Sequence, residues 1–239
     1  MQALVLAGGK GTRLYPYTTI LPKPLMPVGD YPILEILLRQ LKSAGITEVI
    51  LAVGYLSHII EAFFQTGERL GLKISYSHEA KPLGTAGPIA LALDRLEQDF
   101  LILNGDLLTT MRFSNLIQHH RDRQAAATIG MYQREVKIDF GVIGTDDQGR
   151  LQTYTEKPVY HFDVSMGVNV LNKQRVAPYL KPDVYLDIPD LMMQLANDGH
   201  PVQCYREPCY WLDIGRVDDY QVAINKFIEN PELFIPADA

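Results

Sequence analysis

The sequence has 239 residues, of which 47% are apolar and 21% charged, and its 22 Lys and Arg against 28 Asp and Glu give a formal net charge of −6. A chain of this size buries roughly 70–75% of its unfolded surface on folding, so it needs neither disulfides nor a structural metal. The acidic balance disfavours nucleic acid, because phosphate binding requires a clustered cationic face. The composition excludes collagen-like, disulfide-rich and disordered proteins and favours small-molecule partners.

The sequence contains no recognisable targeting or membrane signal. Residues 1–7 are apolar, but no basic segment precedes them and Gly8-Gly9 interrupts them too early for a secretory signal. No apolar stretch approaches the roughly 18 residues of a membrane-spanning helix. The spacing of Cys204 and Cys209 matches no common zinc or redox site, so we expect two reduced, partly buried thiols. These features predict a cytoplasmic protein without a membrane partner.

In the first half of the chain, short aliphatic runs alternate with segments of helical periodicity. Residues 2–7 form an unbroken apolar run, which is typical of a strand buried on both faces. A helix is predicted over residues 32–44, with Asp30 as its N-cap and Gly45 as its end. Its apolar positions recur at helical spacing: Leu34, Leu37, Leu38 and Leu41. The other elements predicted here are strands at 48–53, 72–77 and 100–103 and helices at 57–64, 85–96 and 113–123.

The second half of the chain changes character, because four predicted strands follow with little helix between them. They cover residues 126–133, 141–145, 150–156 and 164–171. Helices are predicted at 189–197 and 218–229. In the last helix, one apolar face is expected from Tyr220, Ala223, Ile224, Phe227 and Ile228. Strand–helix alternation followed by strands predicts one α/β domain whose mainly parallel sheet gains antiparallel strands.

The loop after the first predicted strand combines glycines with cations. Gly8, Gly9 and Gly11 allow backbone N–H groups to converge on an anion, because no Cβ blocks a close approach. Arg13 and Lys23 follow and would add full positive charge. The pattern is neither the dinucleotide fingerprint nor the Walker motif, which argues against a Rossmann dehydrogenase. We therefore predict a phosphate-binding loop of a different kind.

This loop and the following K-P-L-M-P-V-G at 23–29 closely resemble the opening of the sugar-1-phosphate nucleotidylyltransferases, or nucleotide-sugar pyrophosphorylases. Further matching motifs follow in order: K-P-L-G-T-A-G at 81–87, N-G-D at 104–106, F-G-V at 140–142, E-K-P at 156–158, M-G-V-N-V at 166–170 and W-L-D-I-G at 211–215. The resemblance implies a three-layer, Rossmann-like α/β nucleotidyltransferase fold with a mainly parallel mixed sheet. It also implies the reaction of a nucleoside triphosphate with a sugar 1-phosphate to give a nucleotide sugar and pyrophosphate.

The resemblance divides the single domain, residues 1–239, into three parts. Residues 1–125 are expected to bind the nucleotide, 126–215 the sugar phosphate, and 216–239 to form a C-terminal helix. The implied catalytic residues are Arg13, Lys23, Asp106, Lys157 and Asp213. The implied nucleotide-binding residues are Leu6, Ala7, Gly8, Gly9, Gly11, Thr12, Arg13, Lys23, Glu79, Gly84 and Thr85. The implied sugar-phosphate-binding residues are Gly141, Glu156, Lys157 and Asn169.

Magnesium is the implied cofactor, with Asp106 and Asp213 as its ligands. The sugar phosphate is already an anionic nucleophile near neutral pH, so the reaction needs neither a general base nor a covalent intermediate. The site must instead align and neutralise several phosphates, and Mg²⁺ suits this because it combines a few carboxylates with phosphate oxygens and water. Asp106 follows a predicted parallel strand, at the edge where ligands of such sheets bind. Taken alone, Asp106 would equally suit a turn, and Asp213 a helix cap.

Glu79 lies five positions before Gly84, where members of this family read the base. Guanine offers two adjacent donors that one carboxylate can accept, whereas uracil and thymine offer a single donor flanked by carbonyl oxygens. Glutamate and the 81–87 motif therefore favour GTP, with mannose 1-phosphate or a related hexose, hexosamine or heptose 1-phosphate. Some uridylyltransferases of this superfamily also carry glutamate here. A uridylyl- or cytidylyltransferase is thus the alternative, and a non-catalytic nucleotide-binding regulatory module is a further one.

Residues 183–190, D-V-Y-L-D-I-P-D, depart from the thymidylyltransferase pattern, which has an arginine near this point that contacts the sugar phosphate. This departure disfavours a thymidylyl substrate. His119 and His120 are expected on the surface of a helix, without a ligand role. A homo-oligomer is compatible with the sequence.

Overall fold

A seven-stranded sheet forms the centre of the computed structural model, which describes residues 1–235. The strands of the protein are β1 Gln2–Leu6, β2 Pro27–Val28, β3 Tyr31–Pro32, β4 Glu48–Val53, β5 Lys73–His78, β6 Asp99–Asn104, β7 Leu107–Thr109, β8 Ala127–Lys137, β9 Val142–Thr145, β10 Leu151–Thr155, β11 Val159–Asn172, β12 Val202–Tyr205 and β13 Trp211–Asp213. The helices are α1 Ile33–Ser43, α2 Ser57–Phe64, α3 Gly87–Ala92, α4 Phe113–Asp122, α5 Lys173–Val176, α6 Ile188–Asn197 and α7 Val217–Glu229. The last four residues of the predicted C-terminal part, 236–239, lie outside the described residues.

The central sheet is mainly parallel, as the sequence predicts. Its strand order is β12-β8-β11-β6-β1-β4-β5. Strands β5, β4, β1 and β6 run parallel to one another, β11 is antiparallel to β6 and β8, and β12 is parallel to β8. Within residues 1–235, three two-stranded pairs lie outside it: β9 with β10, β7 with β13, and β2 with β3.

Helices cover both faces of the sheet, so the expected three-layer α/β architecture is confirmed. Along β1, Ala3 and Val5 point into a core shared with α1, α2 and α4, whereas Leu4 points into a second core shared with α3 and α6. All three side chains are fully buried, which explains why β1 is an unbroken apolar run. A third cluster joins α7 to the first loop through Phe227, Ile214 and Leu14.

Several sequence predictions about individual elements are wrong in detail. Helix α1 is preceded by Pro32 as N-cap, with no side-chain hydrogen bond at the cap, so Asp30 does not cap it. Helix α3 is shorter than predicted, because a 3₁₀ turn replaces α-helix at 93–95. Strands β8 and β11 extend beyond their predicted ends, since they pair with each other as a long antiparallel ribbon. In α7, Ala223 and Phe227 are buried, but Ile228 is 63% exposed and lies off the apolar face.

Two expectations about polar and sulfur-containing side chains also need correction. His120 was expected at the surface but is 2% exposed, and its Nδ1 lies 2.9 Å from the Thr128 hydroxyl. Burial lowers the pKa of His120, so the imidazole is a neutral part of the core. Cys209 is partly buried as expected, whereas Cys204 is exposed. Across residues 1–235, no helix combines the length and apolar character that crossing a membrane requires.

A buried carboxylate ties α1 to the segment after α2. The Glu35 side chain is 3% exposed and forms ion pairs with Arg39 at 2.8 Å and Arg69 at 2.9 Å. Burial alone raises the pKa of Glu35, but the hydrogen bonds and charges of Arg69 and Arg39 outweigh it, so the pKa lies below its ordinary value. A depressed carboxyl pKa contributes stability above the unfolded pKa, and this contribution is lost as pH falls through the folded pKa.

We expect Glu35→Gln to lower the free energy of unfolding at pH 7 by about 2 kcal/mol, because charge-assisted hydrogen bonds to both arginines are lost. The difference from wild type should shrink as pH falls from the ordinary glutamate value of 4.5, where Glu35 of the unfolded state takes up its proton, through the lower pKa of folded Glu35. Urea unfolding at neutral and acidic pH measures both. The exposed Glu229→Gln is the control, expected within about 0.5 kcal/mol of wild type. Equal stability of Glu35→Gln and wild type at pH 7 would contradict this role.

Candidate functional site

The carboxyl ends of three parallel strands meet at one edge of the sheet. Leu6, the last residue of β1, is in register with Ala52 of β4 and Asn104 of β6. The loops after these strands therefore start side by side. The Gly105 N–H donates a 2.9 Å hydrogen bond to the Leu6 carbonyl, which holds the loop after β6 against β1. This edge is where open parallel sheets bind their ligands.

A cavity of about 240 Å³ opens at this edge. Its wall consists of Leu6, Ala7, Gly9, Gly11, Thr12, Arg13, Lys23, Pro24 and Asp106. Eight of these nine residues belong to the set that the sequence predicts for the nucleotide and the metal, and the fold brings them together from β1, β6 and the loop between β1 and α1. Pro24 is the exception, and its position inside the 23–29 motif was the available signal. Gly8 lies beside this wall rather than in it.

Close packing explains why two of the loop positions are glycines. A Cβ on Gly8 would lie 2.9 Å from the Glu79 Oε1 atom and 3.2 Å from the Gly54 nitrogen. Gly11 has a φ of +60°, which disfavours any side chain, and the Thr18 hydroxyl donates a 2.9 Å hydrogen bond to its carbonyl. The loop is thus held in a conformation in which backbone groups border the cavity. Gly54 directly follows β4, but sequence reasoning missed it because no motif includes it.

Opposite charges converge at the end of the cavity formed by β6. Lys23, a residue only 8% exposed, forms an ion pair between its ammonium and Asp106 Oδ2. The other oxygen, Asp106 Oδ1, is buried without a hydrogen-bond partner among the described residues. The Arg13 guanidinium lies against Gly215, where a Cβ would be 3.3 Å from Nη1. Both cations therefore border the same carboxylate-bearing end of the site.

Asp213 reaches the same place although it is far away in the sequence. Strand β13 pairs antiparallel with β7, which places Asp213 opposite Leu107, next to Asp106. The Ile214 N–H also donates a 3.2 Å hydrogen bond to the Asp106 carbonyl. Burial is the main cause that raises the pKa of Asp213, the negative charge of Asp106 raises it further, and Lys23 and Arg13 oppose both.

Two acidic side chains at a buried edge, one of them with an orphaned oxygen, fit the ligand chemistry of Mg²⁺. This ion prefers hard oxygen ligands and usually binds one or two carboxylates together with phosphate oxygens and water. Among the described residues, no group of three or more His, Cys, Asp or Glu side chains could hold a metal by itself. Asp106 and Asp213 would therefore hold the ion only together with a ligand that brings its own oxygens.

Glu79 borders the site on the side of β4. It directly follows β5, and its N–H donates a 3.0 Å hydrogen bond to the Val53 carbonyl at the end of β4. Its Oε2 accepts a 3.2 Å hydrogen bond from the Leu83 N–H, while Oε1 lies against Gly8. Burial raises the pKa of Glu79. A half-buried carboxylate thus stands beside the glycine loop with acceptor capacity to spare.

Gly84 and Thr85 connect the Glu79 segment to the residues before α6. Gly84 has a φ of +78°, and a Cβ there would lie 2.5 Å from the Leu186 carbonyl oxygen. The Thr85 hydroxyl donates to Asp187 Oδ1 at 3.1 Å and accepts a 2.8 Å hydrogen bond from the Ile188 N–H. The hydroxyl is thus already engaged by α6. Sequence reasoning did not single out Asp187, although its segment, 183–190, stood out as a departure.

The sugar-phosphate candidates lie on β9, β10 and β11 and the turns beside them. Asn169 on β11 is opposite Ile102 of β6; it is 2% exposed, and its Oδ1 has no hydrogen-bond partner among the described residues. The Tyr154 ring packs directly over Gly141, so that a Cβ there would lie 2.6 Å from the hydroxyl oxygen and displace the ring. The indole N–H of Trp211 donates a 3.0 Å hydrogen bond to the Met166 carbonyl, which ties β13 to β11.

Glu156 and Lys157 form the exposed turn between β10 and β11. Their side chains form an ion pair at 4.0 Å. Lys157 has a φ of +45°, a costly conformation for a residue with a side chain and one that clusters at ligand-binding sites. Among the residues that the structure describes, the wall of the 240 Å³ cavity contains Lys23 and Asp106 but neither Glu156 nor Lys157. The cavity wall thus contains eight of the predicted nucleotide and metal residues, and this pair lies outside it. The other predicted nucleotide and metal residues also lie outside the wall: Gly8, Glu79, Gly84, Thr85 and Asp213.

Comparison with known proteins agrees with this architecture. A solved structure, HddC from Yersinia pseudotuberculosis, superimposes with a TM-score of 0.72 at 25% identity over 95% of this chain and 99% of that one. A UTP–glucose-1-phosphate uridylyltransferase of Synechocystis sp. is 33% identical over 94% of this chain and 62% of its own length. A mannose-1-phosphate guanylyltransferase catalytic subunit beta of Danio rerio is 34% identical over 96% and 65%. The chain thus spans less than two thirds of either relative. The family described as nucleotidyl transferase matches residues 2–230, and the chain belongs to this family.

Proposed function

We propose that the protein is a sugar-1-phosphate nucleotidylyltransferase that converts a nucleoside triphosphate and a sugar 1-phosphate to a nucleotide sugar and pyrophosphate. The observation that carries the proposal is that Arg13, Lys23 and Asp106 line one glycine-containing cavity, while the β7–β13 pairing brings Asp213 beside Asp106. Two cations and two carboxylates at the carboxyl edge of a parallel sheet suit a substrate with several phosphates and a divalent cation. GTP is the favoured nucleotide, with mannose 1-phosphate or a related hexose, hexosamine or heptose 1-phosphate.

The proposed reaction depends on alignment and charge neutralisation. The phosphate oxygen of the sugar phosphate attacks the α-phosphorus, and pyrophosphate leaves on the opposite side. Residues 8–12 hold the triphosphate through backbone N–H groups, and Arg13 and Lys23 offset the charge that develops on the leaving pyrophosphate. No side chain has to remove a proton, because the attacking oxygen is already ionised near neutral pH.

Asp106 and Asp213 are the proposed ligands of Mg²⁺. When bound, the ion would neutralise phosphate oxygens and fix their orientation. The ion pair between Lys23 and Asp106 holds this carboxylate in place before substrates arrive. The raised pKa of Asp213 reflects burial and a neighbouring negative charge, a cost that a cation at this position would offset.

Glu79 is the proposed reader of the base. Its carboxylate can accept hydrogen bonds from both adjacent donors of guanine, and the Leu83 N–H at 3.2 Å keeps it oriented. The guanylyltransferase relative from Danio rerio is consistent with GTP. The uridylyltransferase relative from Synechocystis has nearly the same identity, so a uridylyltransferase remains the second candidate.

Lys157 and Glu156 are the proposed sugar-phosphate residues, together with Asn169 and Gly141. A lysine ammonium binds a phosphate oxygen as a compact charge, and an adjacent carboxylate can accept hydrogen bonds from sugar hydroxyls. The strained φ of Lys157 and the unpaired Oδ1 of Asn169 support ligand-facing roles. The exposed 156–157 turn would have to close over the sugar, because it does not border the 240 Å³ cavity.

The proposal is tested by a matrix of GTP, UTP, CTP and dTTP against the 1-phosphates of mannose, glucose, glucosamine, N-acetylhexosamine and heptose. We expect pyrophosphate release with Mg²⁺ that depends strictly on added sugar 1-phosphate and is fastest with GTP. Fastest release with UTP would support the second candidate instead. Nucleotide binding without pyrophosphate release for any pair would indicate a non-catalytic binding module.

Replacing Asp213 separates catalysis from stability. The pKa of Asp213 is raised in the folded state, so ionised Asp213 destabilises the fold and folding stability falls as pH rises through the folded pKa. Asparagine carries no charge. The free energy of unfolding of Asp213→Asn at pH 7 should therefore equal or exceed that of wild type. Turnover at saturating Mg²⁺ should fall by about 100-fold or more. Urea unfolding and pyrophosphate release measure the two effects, with the exposed Asp218→Asn as control. Near-normal turnover of Asp213→Asn would rule out its role as a metal ligand.

Asp106→Asn should also abolish most turnover, but it tests the proposal less cleanly. The substitution leaves the buried Lys23 ammonium without its carboxylate, so we expect a loss of stability as well as of activity. Urea unfolding of both variants tests the role of the ion pair, because only Asp106→Asn should be less stable than wild type. Equal stability of both variants would contradict it.

Replacing Glu79 tests base recognition. Glu79→Gln keeps the shape of the side chain but turns one acceptor into a donor, so the ratio of kcat/KM for GTP to that for UTP should fall at least about tenfold. The exposed Glu229→Gln, on α7, serves as a matched control and should keep the wild-type ratio. An unchanged ratio in Glu79→Gln would show that another group reads the base.

A further inference from the structure

The segment before α6 is bound to the loop that carries Glu79 by hydrogen bonds of both backbones. The Leu186 N–H donates to the Leu83 carbonyl at 3.0 Å, and the Leu186 carbonyl accepts from the N–H groups of Ala86 at 2.8 Å and Gly87 at 3.0 Å. The left-handed Gly84 makes this close approach possible, since a Cβ there would clash with the Leu186 oxygen. Residues 83–87 are thus docked onto the chain around Leu186.

One side chain completes this docking. Asp187 Oδ1 accepts two hydrogen bonds from Thr85, one from the N–H at 2.9 Å and one from the hydroxyl at 3.1 Å. The hydroxyl in turn accepts a 2.8 Å hydrogen bond from the Ile188 N–H at the start of α6. The second carboxylate oxygen, Oδ2, accepts a 2.7 Å hydrogen bond from the Tyr185 hydroxyl. Both oxygens are therefore engaged, which fixes the rotamer of the carboxylate and the position of Thr85.

The docked loop includes the donor that orients Glu79. Thr85 lies two residues after Leu83, whose carbonyl accepts from Leu186 and whose N–H donates to Glu79 Oε2 at 3.2 Å. A displacement of Thr85 therefore moves Leu83, whose N–H and carbonyl are both hydrogen-bonded. Within the described part of the chain, Asp187 forms no hydrogen bond with Glu79, and the bonded path between the two side chains runs through this loop.

We propose that Asp187 is a positioning residue for the nucleotide base: it holds Thr85, and through it the 83–87 loop, so that the Leu83 N–H keeps the Glu79 carboxylate oriented. This inference rests on the proposed role of Glu79 in reading the base. It gives the 183–190 segment a function on the nucleotide side of the protein. It also assigns the Thr85 hydroxyl to the support of the loop.

The test compares the steady-state kinetics of Asp187→Ala, Asp187→Asn and Asp190→Ala. Asp187→Ala removes both acceptors of the Thr85 bonds, so we expect the KM for GTP to rise about tenfold, with kcat and the KM for the sugar 1-phosphate within about threefold of wild type. Asp187→Asn keeps one acceptor oxygen of the same shape and should restore most of the GTP affinity. Asp190→Ala removes an exposed carboxylate from the same first turn of α6 and should match wild type.

A double-variant cycle distinguishes positioning from a general loss of structure. If Asp187 acts through Glu79, Asp187→Ala should lower the GTP to UTP ratio of kcat/KM, and adding it to Glu79→Gln should lower the ratio no further. Equal further losses in both backgrounds would overturn the inference. If Asp187→Ala does not fold, Thr85→Ala takes its place in the cycle, since it removes the hydroxyl and leaves the loop backbone unchanged.

The controls separate the failure of this inference from the failure of the proposed function. If wild-type protein releases pyrophosphate with a base preference that Glu79→Gln weakens, but Asp187→Ala changes neither the KM for GTP nor that preference, the inference alone is wrong. If wild-type protein shows no such activity, or Glu79→Gln leaves the preference unchanged, the proposed base-reading role is wrong and the inference falls with it.

Discussion

The parallel alignment of β1 between β4 and β6 is the constraint on which the rest of the site depends. Because Leu6 is in register with both Ala52 and Asn104, the chain leaves all three strands at the same height of the sheet. The glycine loop, Gly54 and the Asn104–Asp106 segment therefore start as neighbours, and the Gly105 hydrogen bond to Leu6 keeps them so. The fully buried side chains of β1 hold this edge in place from both faces. The cavity at this edge of the sheet therefore results from the register of β1 with β4 and β6.

The net charge of −6 contrasts with a proposed substrate that is itself a polyanion. The contrast is resolved locally, because Arg13 and Lys23 are brought to the cavity while most acidic residues lie elsewhere on the surface. The two carboxylates that do enter the site are held at a cost, visible in the raised pKa of Asp213 and in the orphaned oxygen of Asp106. Net charge thus describes the surface of the protein, whereas single residues determine the electrostatic potential inside the cavity.

Periodicity predicted the mainly parallel sheet and most helices, because an amphipathic pattern reports directly which face is buried, whereas the three layers were implied by the family resemblance. Neither predicted β7 and β13, since three-residue strands have no periodicity to recognise, yet this pairing brings Asp213 to Asp106. Local capping rules likewise failed at Asp30, because Tyr31 and Pro32 pair with β2 and α1 starts only at Ile33. The site residues came from the motifs. The motifs did not predict how these residues contact one another, because strand register and long-range pairing cannot be inferred from local sequence.

Glu79 and the glycine loop are in contact, and this contact limits what the site can become. Gly8 has no room for a Cβ, because Glu79 Oε1 occupies that space. The group proposed to read the base thus lies directly beside the loop proposed to hold the phosphates, and its backbone N–H is hydrogen-bonded to the Val53 carbonyl at the end of β4. A larger residue at position 8 would push the carboxylate away, whereas a smaller residue at position 79 would leave a gap beside the loop. Base recognition and phosphate binding are therefore mechanically linked through Gly8, and a change of base specificity at position 79 must also preserve the shape of the phosphate loop.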